Sequence, residues 1–373
     1  MKELKIALYT GKGASHSWIW LVDTLNRFSL RTIQFVTDVS SLEADVLVIS
    51  GGDPFAIFSH IRKEGVSEIK TFIEKGGTYI GICAGTYFAL KFHEHPYPWL
   101  NLIDSEISNF SQNPPPNQRM PHKYTVHYRE GVVFHPVREE VILQYGKKVF
   151  AAPLYGGPGI CSADAHSLAT YKKFTENTLF LCERKAAEKY LLSTSALLHK
   201  KIGKGQLFLF GPHFEHPFFP EANRELIKML SRVNPSGYSF ETTGEPVSGI
   251  QKKNFLKELK RWVSNGRIAA RGLENYHWKI GEKIYDPERL AYFFETCFNL
   301  LKIFETHERI YIAPHLLKDG QNLTLQVRKL GPDPVTAEIL LEGMKEFTST
   351  LYSLYFSTLQ QLQPRTHGRE DLQ

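Results

Sequence analysis

Thr78-Tyr79-Ile80-Gly81-Ile82-Cys83-Ala84-Gly85-Thr86-Tyr87-Phe88-Ala89-Leu90 is the stretch from which this chain is read. A short apolar run ends in Gly-x-Cys-x-Gly and passes directly into a second apolar segment of helical character. This is the layout of a nucleophile elbow with cysteine in place of serine. Small residues on both sides of Cys83 let the backbone turn sharply from strand to helix, which lifts the middle side chain above the sheet. At a helix N-terminus the sulfur would also meet unpaired backbone N–H groups and the positive end of the helix dipole, which favour thiolate over thiol. Cys83 is therefore the candidate nucleophile.

Upstream, residues 4–9 are a compact apolar run that reads as a buried strand, and Gly11-Lys12-Gly13 follows as a turn without the spacing of a phosphate loop. Trp18, Leu21, Val22, Leu25 and Phe28 recur at helical spacing, and residues 32–36 read as a second strand. Residues 44–50 supply a third strand. Gly51-Gly52-Asp53-Pro54 comes next, at the C-terminal edge where open α/β sheets bind ligands. Residues 66–73 predict a helix, and residues 78–82 the strand that delivers Cys83. The alternation predicts an α/β fold with a doubly wound, mostly parallel sheet.

Downstream, the three prolines in residues 113–118 exclude helix and central strand, because proline lacks the backbone donor. Residues 141–150 read as one or two strands leading into Leu154-Tyr155-Gly156-Gly157. An apolar strand then ends in Gly211-Pro212-His213-Phe214-Glu215. A thiol needs a base to take its proton, and the base needs an acceptor to fix its tautomer. His213 is the candidate base and Glu215 its orienter, about 130 residues after the elbow, since such partners meet in space and not in sequence.

Residues 1–235 resemble the class I glutamine amidotransferase-like superfamily, and within it the domain found at the N-terminus of eukaryotic biotin–protein ligases and as stand-alone proteins in microbes. The residues that carry the resemblance are the elbow Gly81-Ile82-Cys83-Ala84-Gly85-Thr86-Tyr87, the turn Ser50-Gly51-Gly52-Asp53, Leu154-Tyr155-Gly156-Gly157 and Gly211-Pro212-His213-Phe214-Glu215. The resemblance implies a flavodoxin-like fold, a triad of Cys83, His213 and Glu215, and an oxyanion hole from the backbone N–H groups of Gly52 and Ala84. Asp53, Tyr87, Tyr155, Gly156 and Gly157 are the candidates for the substrate pocket. Two positions depart from the superfamily. Tyr87 stands where glutamine amidotransferases tend to carry a glutamine that helps hold the substrate, and Phe214 stands in place of the proline of His-Pro-Glu. The glycine-arginine stretch at residues 266–272 lacks the spacing that wraps a biotinyl-adenylate, so no biotin ligase activity is expected.

Turn-forming residues fill positions 236–250, where the strand-helix alternation stops, and a linker is placed there. Residues 251–362 predict a smaller, mainly helical domain, and 363–373 a polar tail. Asp286-Pro287 and Asp333-Pro334 each look like an N-cap followed by a first-turn proline. Leu290, Phe293, Phe294, Cys297, Leu301 and Phe304 share one helical face, and Leu340, Met344, Phe347, Leu351 and Leu354 share another. Lys252, Lys253, Lys257, Lys260, Arg261, Arg267 and Arg271 make residues 252–271 a basic segment, either a solvated face or a surface for RNA, acidic lipid or an acidic protein partner.

Composition bounds what such a protein does. Its 373 residues are 42% hydrophobic with a formal charge of +6, enough for two packed cores and too modest a charge for a nucleic-acid grip. Cys83, Cys161, Cys182 and Cys297 are scattered with no metal spacing, which fits a reducing, cytoplasmic setting. The N-terminus has no signal-peptide pattern, no apolar run reaches membrane-spanning length, and the scattered histidines, His93 and His95 among them, predict neither metal nor cofactor. The expected activity is a cysteine-dependent amidase or amidotransferase-like hydrolase acting on a small amide or acyl substrate. The alternatives are a catalytically inactive scaffold that keeps the fold as a binding pocket, and a thiol-based redox or aldehyde-handling protein.

Overall fold

Apolar runs of four or five residues are too short for helices and too continuous for half-exposed strands, so they belong at the centre of a parallel sheet covered on both faces. In the computed structural model, which describes residues 3–91, 99–128, 131–238, 242–281 and 283–361, these runs are strands β1 (Ile6–Tyr9), β3 (Val46–Ile49) and β4 (Thr78–Ile82), with every residue buried. With β2 (Ile33–Val36) and the strand Gly205–Phe210 they make a parallel order β2-β1-β3-β4-(205–210). The sheet then continues antiparallel through Ser195–Ile202, His166–Phe180, Val137–Tyr145 and Lys148–Leu154.

Helix α1 (Ser17–Arg27) follows β1, α2 (Pro54–Glu74) follows β3, and α3 (Ala84–Ala89) follows β4. The expected helix at 66–73 is the second half of α2, which begins at Pro54 because Asp53 caps it. The Asp53 carboxylate accepts from Phe55 N at 2.9 Å, and Pro54 occupies the first turn, where its missing N–H costs nothing. A positive φ of 60° at Arg62 kinks α2 between its two halves.

The chain divides into two units. The first comprises Met1–Ser239 together with His277–Tyr285, and the second Phe240–Tyr276 with Asp286–Gln373. The helical region expected at 251–362 therefore yields residues 277–285 to the first unit, where they form a hairpin of Trp278–Ile280 and Lys283–Tyr285. The linker expected at 236–250 contains a strand, Glu245–Ser248, paired antiparallel with Arg309–Ile312 so that Val247 lies opposite Ile310.

In the second unit the helices are Gly249–Arg271, Glu288–Thr306, His315–Lys329 and Pro334–Gln361. Both apolar seams read from the sequence are buried, from Leu290 to Phe304 and from Leu340 to Leu354. Asp333 caps its helix through Thr336 N at 2.8 Å, whereas the helix after Asp286 starts at Glu288 with no side-chain cap bond. The basic segment is answered within the unit, Lys260 by Glu305 at 2.7 Å and Arg267 by Glu295 at 3.3 Å. The polar tail at 363–373 lies outside the described residues. Among the described residues no helix is long and apolar enough to cross a membrane.

Candidate active site

The sheet delivers two side chains from neighbouring strands. β4 ends at Ile82, opposite Phe210 of the adjacent parallel strand, so Cys83 and the loop bearing His213 leave the same edge side by side. Cys83 sits at φ 51° and ψ −101°, a conformation that is costly for a residue with a side chain and persists only where the surroundings hold it. They do so here. Cys83 N donates to Phe210 O at 2.9 Å, Thr86 Oγ1 donates to Phe210 O at 2.7 Å, and the Tyr79 hydroxyl donates to Gly85 O at 2.8 Å. The flanking glycines are required by close approach: a β-carbon on Gly81 would lie 2.5 Å from Gly85 O, and one on Gly85 would lie 2.0 Å from Ile49 O.

His213 is buried, and its Nδ1–H donates to Glu215 Oε1 at 2.7 Å, leaving the other ring nitrogen for the sulfur. The same carboxylate oxygen accepts from Ser50 Oγ at 3.1 Å. Ser50 in turn shares a hydrogen bond of 2.9 Å with Ser17, which shares another of 2.9 Å with Ser15. Glu215 is also fixed through its backbone, whose carbonyl accepts from Thr24 Oγ1 at 2.8 Å. The carboxylate is thus held from α1 and from the loop after β3.

Electrostatics follow from this arrangement. Burial by itself pushes the Cys83 thiol up; the hydrogen bond and positive charge of His213 outweigh it, Lys283 adds to the effect and Glu215 opposes it, so the thiol lies below its ordinary value. Burial by itself pulls His213 down, but the Glu215 carboxylate and the hydrogen bond with Cys83 raise it above the ordinary imidazole value. α3 has only six residues, so its dipole is a smaller contributor than the neighbouring cation.

Aromatic rings wall the pair. Trp20 meets His213 edge-on at 5.5 Å between centroids and His216 at 4.5 Å, and Tyr155 lies 5.7 Å from both Trp20 and His213. Burial, followed by the charge of His213, pulls His216 down to about 4, which keeps that ring neutral. The Tyr155 carbonyl lies 4.0 Å from Cys83 Sγ, and its hydroxyl donates to Glu139 at 3.0 Å. The Arg138 guanidinium sits 5.0 Å from the ring centroids of both Tyr124 and Tyr155.

The remaining sequence candidates take distinct places. The Tyr87 hydroxyl donates to Gly156 O at 3.1 Å and accepts from Asn109 Nδ2 at 2.9 Å, which ties the elbow helix to the Tyr155-Gly156-Gly157 loop. Gly157 passes so close to Gly211 that a β-carbon there would lie 1.7 Å from Gly211 O. Asp53 is wholly buried and serves as the cap of α2. Gly52 has φ 154°, lies in the loop after β3 and accepts Lys283 Nζ on its carbonyl at 2.5 Å; Ala84 is the first residue of α3. The two loops are linked by Gly85 N donating to Ser50 O at 3.3 Å.

Sequence reasoning missed Ser17, Trp20, Asn109, His216 and Lys283, and it read Ser50 only as part of the turn Ser50-Gly51-Gly52-Asp53. Ser50 carried a usable signal, because it directly follows β3. Asn109 and Lys283 carried none, since no local pattern marks them.

Residues 4–97 match the family model described as "Biotin-protein ligase, N terminal". A similar curated protein is the biotin–protein ligase of Schizosaccharomyces pombe, 25% identical over 232 residues that cover 57% of this chain and 33% of the relative. The match thus spans about a third of that relative's length. Similar solved structures include a glutamine amidotransferase, at 16% identity with a TM-score of 0.40 over 61% of this chain and 98% of that one. PurLQS from Thermotoga maritima is another, at 14% identity with a TM-score of 0.41 over 62% of this chain and 98% of that one.

Proposed function

We propose, from the family match over residues 4–97 and the parallel sheet that brings Cys83 and the His213 loop to one edge, that this protein is a cysteine-dependent amidase or acyl hydrolase. The Cys83 thiolate attacks the acyl carbon, forming the S–C bond while the carbonyl oxygen takes up charge that the N–H groups of Gly52 and Ala84 receive. His213 passes its proton to the leaving amine as the C–N bond breaks, and Glu215 keeps the imidazole oriented. Water then adds to the acyl-enzyme, His213 accepts its proton, and the C–S bond breaks to release the acid.

The observation that supports this reading is the buried His213, whose Nδ1 donates to Glu215 Oε1 at 2.7 Å on the loop that leaves the sheet beside Cys83. Tyr87 argues that the substrate is an amide other than glutamine. Its hydroxyl is committed to Gly156 and Asn109, so the position that helps hold glutamine in the related enzymes instead braces a wall. The reading does not extend to the ligase activity in the relative's name, and a protein partner for the helical unit stays a separate proposal.

The test is intact-mass detection of an acyl adduct after exposure to an activated acyl ester. One adduct per chain, lost in Cys83→Ala and sharply slowed in His213→Ala, is the expected result. Labelling that persists in Cys83→Ala overturns it.

A further inference from the structure

We propose that Lys283 is a positioning residue of the Cys83 site: its ammonium holds the Gly52 loop by the Gly52 carbonyl and sets a fixed positive charge within electrostatic reach of the sulfur. This deepens the hydrolase reading and rests on it. Although 231 positions separate the two residues, both belong to the first unit, and the contact is a hydrogen bond of 2.5 Å from Lys283 Nζ.

The hairpin that presents Lys283 is anchored at its base and rests on the loop at its tip. Trp278 and Tyr285 face each other across the two strands and are 1% and 7% exposed, so the base is sunk in apolar packing. Ile280 pairs with Lys283, and the chain leaves the first strand through Gly281 at φ 59°, a conformation glycine adopts without strain. A β-carbon on Gly281 would lie 3.1 Å from Asp53 Oδ2, so the tip sits directly over the Asp53 side chain. Gly52 and Asp53 are consecutive, and the hairpin therefore touches both halves of the loop that would furnish an oxyanion donor.

Charge points the same way. After burial and the hydrogen bond and charge of His213, the Lys283 ammonium is the next influence that lowers the Cys83 thiol, and Glu215 opposes it. Burial is the main reason His135 lies well below the ordinary imidazole value, with Lys283, Arg138 and His122 adding to it.

The experiment measures iodoacetamide alkylation of Cys83 against pH in the full chain, read by peptide mass spectrometry, and needs no substrate. Lys283→Met is expected to move the midpoint upward and slow alkylation at pH 6 by roughly 3- to 10-fold, a tenfold change corresponding to one pH unit. Lys283→Gln, which keeps an N–H donor for Gly52 but no charge, is expected to shift the midpoint likewise. Lys283→Arg is expected to retain the native profile. A native profile in both uncharged variants overturns the role of Lys283 and leaves the hydrolase reading standing. An ordinary thiol profile in the native chain removes the activated sulfur and both proposals with it.

Discussion

Gly51 lies flat against the imidazole of His213: a β-carbon at position 51 would come 2.8 Å from Cε1 of that ring and 2.8 Å from Ser17 Oγ. The ring cannot retreat, because Trp20 covers it edge-on and Glu215 holds its Nδ1. Gly51→Ala is expected to tilt the imidazole and lower acyl-probe labelling by about 100-fold, the cost of misplacing a catalytic group by roughly 1 Å. Stopped labelling kinetics on the purified variant check this, with circular dichroism to show that the fold is retained.

The lowered thiol and the raised imidazole place the ion pair between two titrations. As pH rises through the value of Cys83 the thiolate appears, so alkylation should reach half its maximum below about pH 8.5, the ordinary thiol value. As pH rises further through the value of His213 the acid is lost, and amide turnover should decline only well above about pH 6.5, the ordinary imidazole value. An alkylation midpoint at or above that of a free thiol would contradict the arrangement.

Glu215→Gln preserves shape and hydrogen-bonding capacity while removing the negative charge that favours the imidazolium. His213 should then titrate lower and Cys83 should lose part of its ionic partner. We expect acyl transfer to fall by about 10²- to 10⁴-fold, the range associated with general acid–base catalysis. Pre-steady-state acylation by an amide measured at two pH values separates this from simple misfolding, because the deficit should grow as pH rises through the lowered titration of His213 and the acid for the leaving amine is lost.

Tyr87→Phe separates the wall from the chemistry. Loss of the hydroxyl leaves Gly156 O without its donor and removes one of the two acceptors of Asn109 Nδ2, the other being Phe134 O at 2.9 Å. A stability loss of about 1–3 kcal/mol is expected from the exposed buried groups. Thermal denaturation measures it, and Cys83 labelling should stay within a few-fold of native.

The legible part of this fold is the part buried on both faces. β1, β3 and β4 announce themselves as unbroken apolar runs because a central parallel strand has no solvent side. The candidates Cys83 and His213 were picked for a related reason, since Cys83 directly follows such a run and His213 comes three residues after one. The start of α2 was not read, although Asp53-Pro54 is the same cap-and-proline device recognised at Asp333-Pro334. Its glycine-rich surroundings read as a turn, and the Asp53 cap with Pro54 in the first turn starts the helix there. The long strand His166–Phe180 was only partly visible, because its register shifts twice against Val137–Tyr145 and breaks the alternation on which strand reading depends. Residues 277–285 resemble any short polar hairpin, and only the folded chain shows where they land.

That landing orders events during synthesis. The five parallel strands are complete once residue 210 has emerged from the ribosome, and N-terminal units generally fold while translation continues. The loop after β3 nevertheless waits for Lys283. On the proposal that Lys283 tunes the sulfur, a nascent chain passes through a stage in which the parallel strands have been made while that ammonium is still untranslated, and the candidate site is completed after the scaffold that carries it.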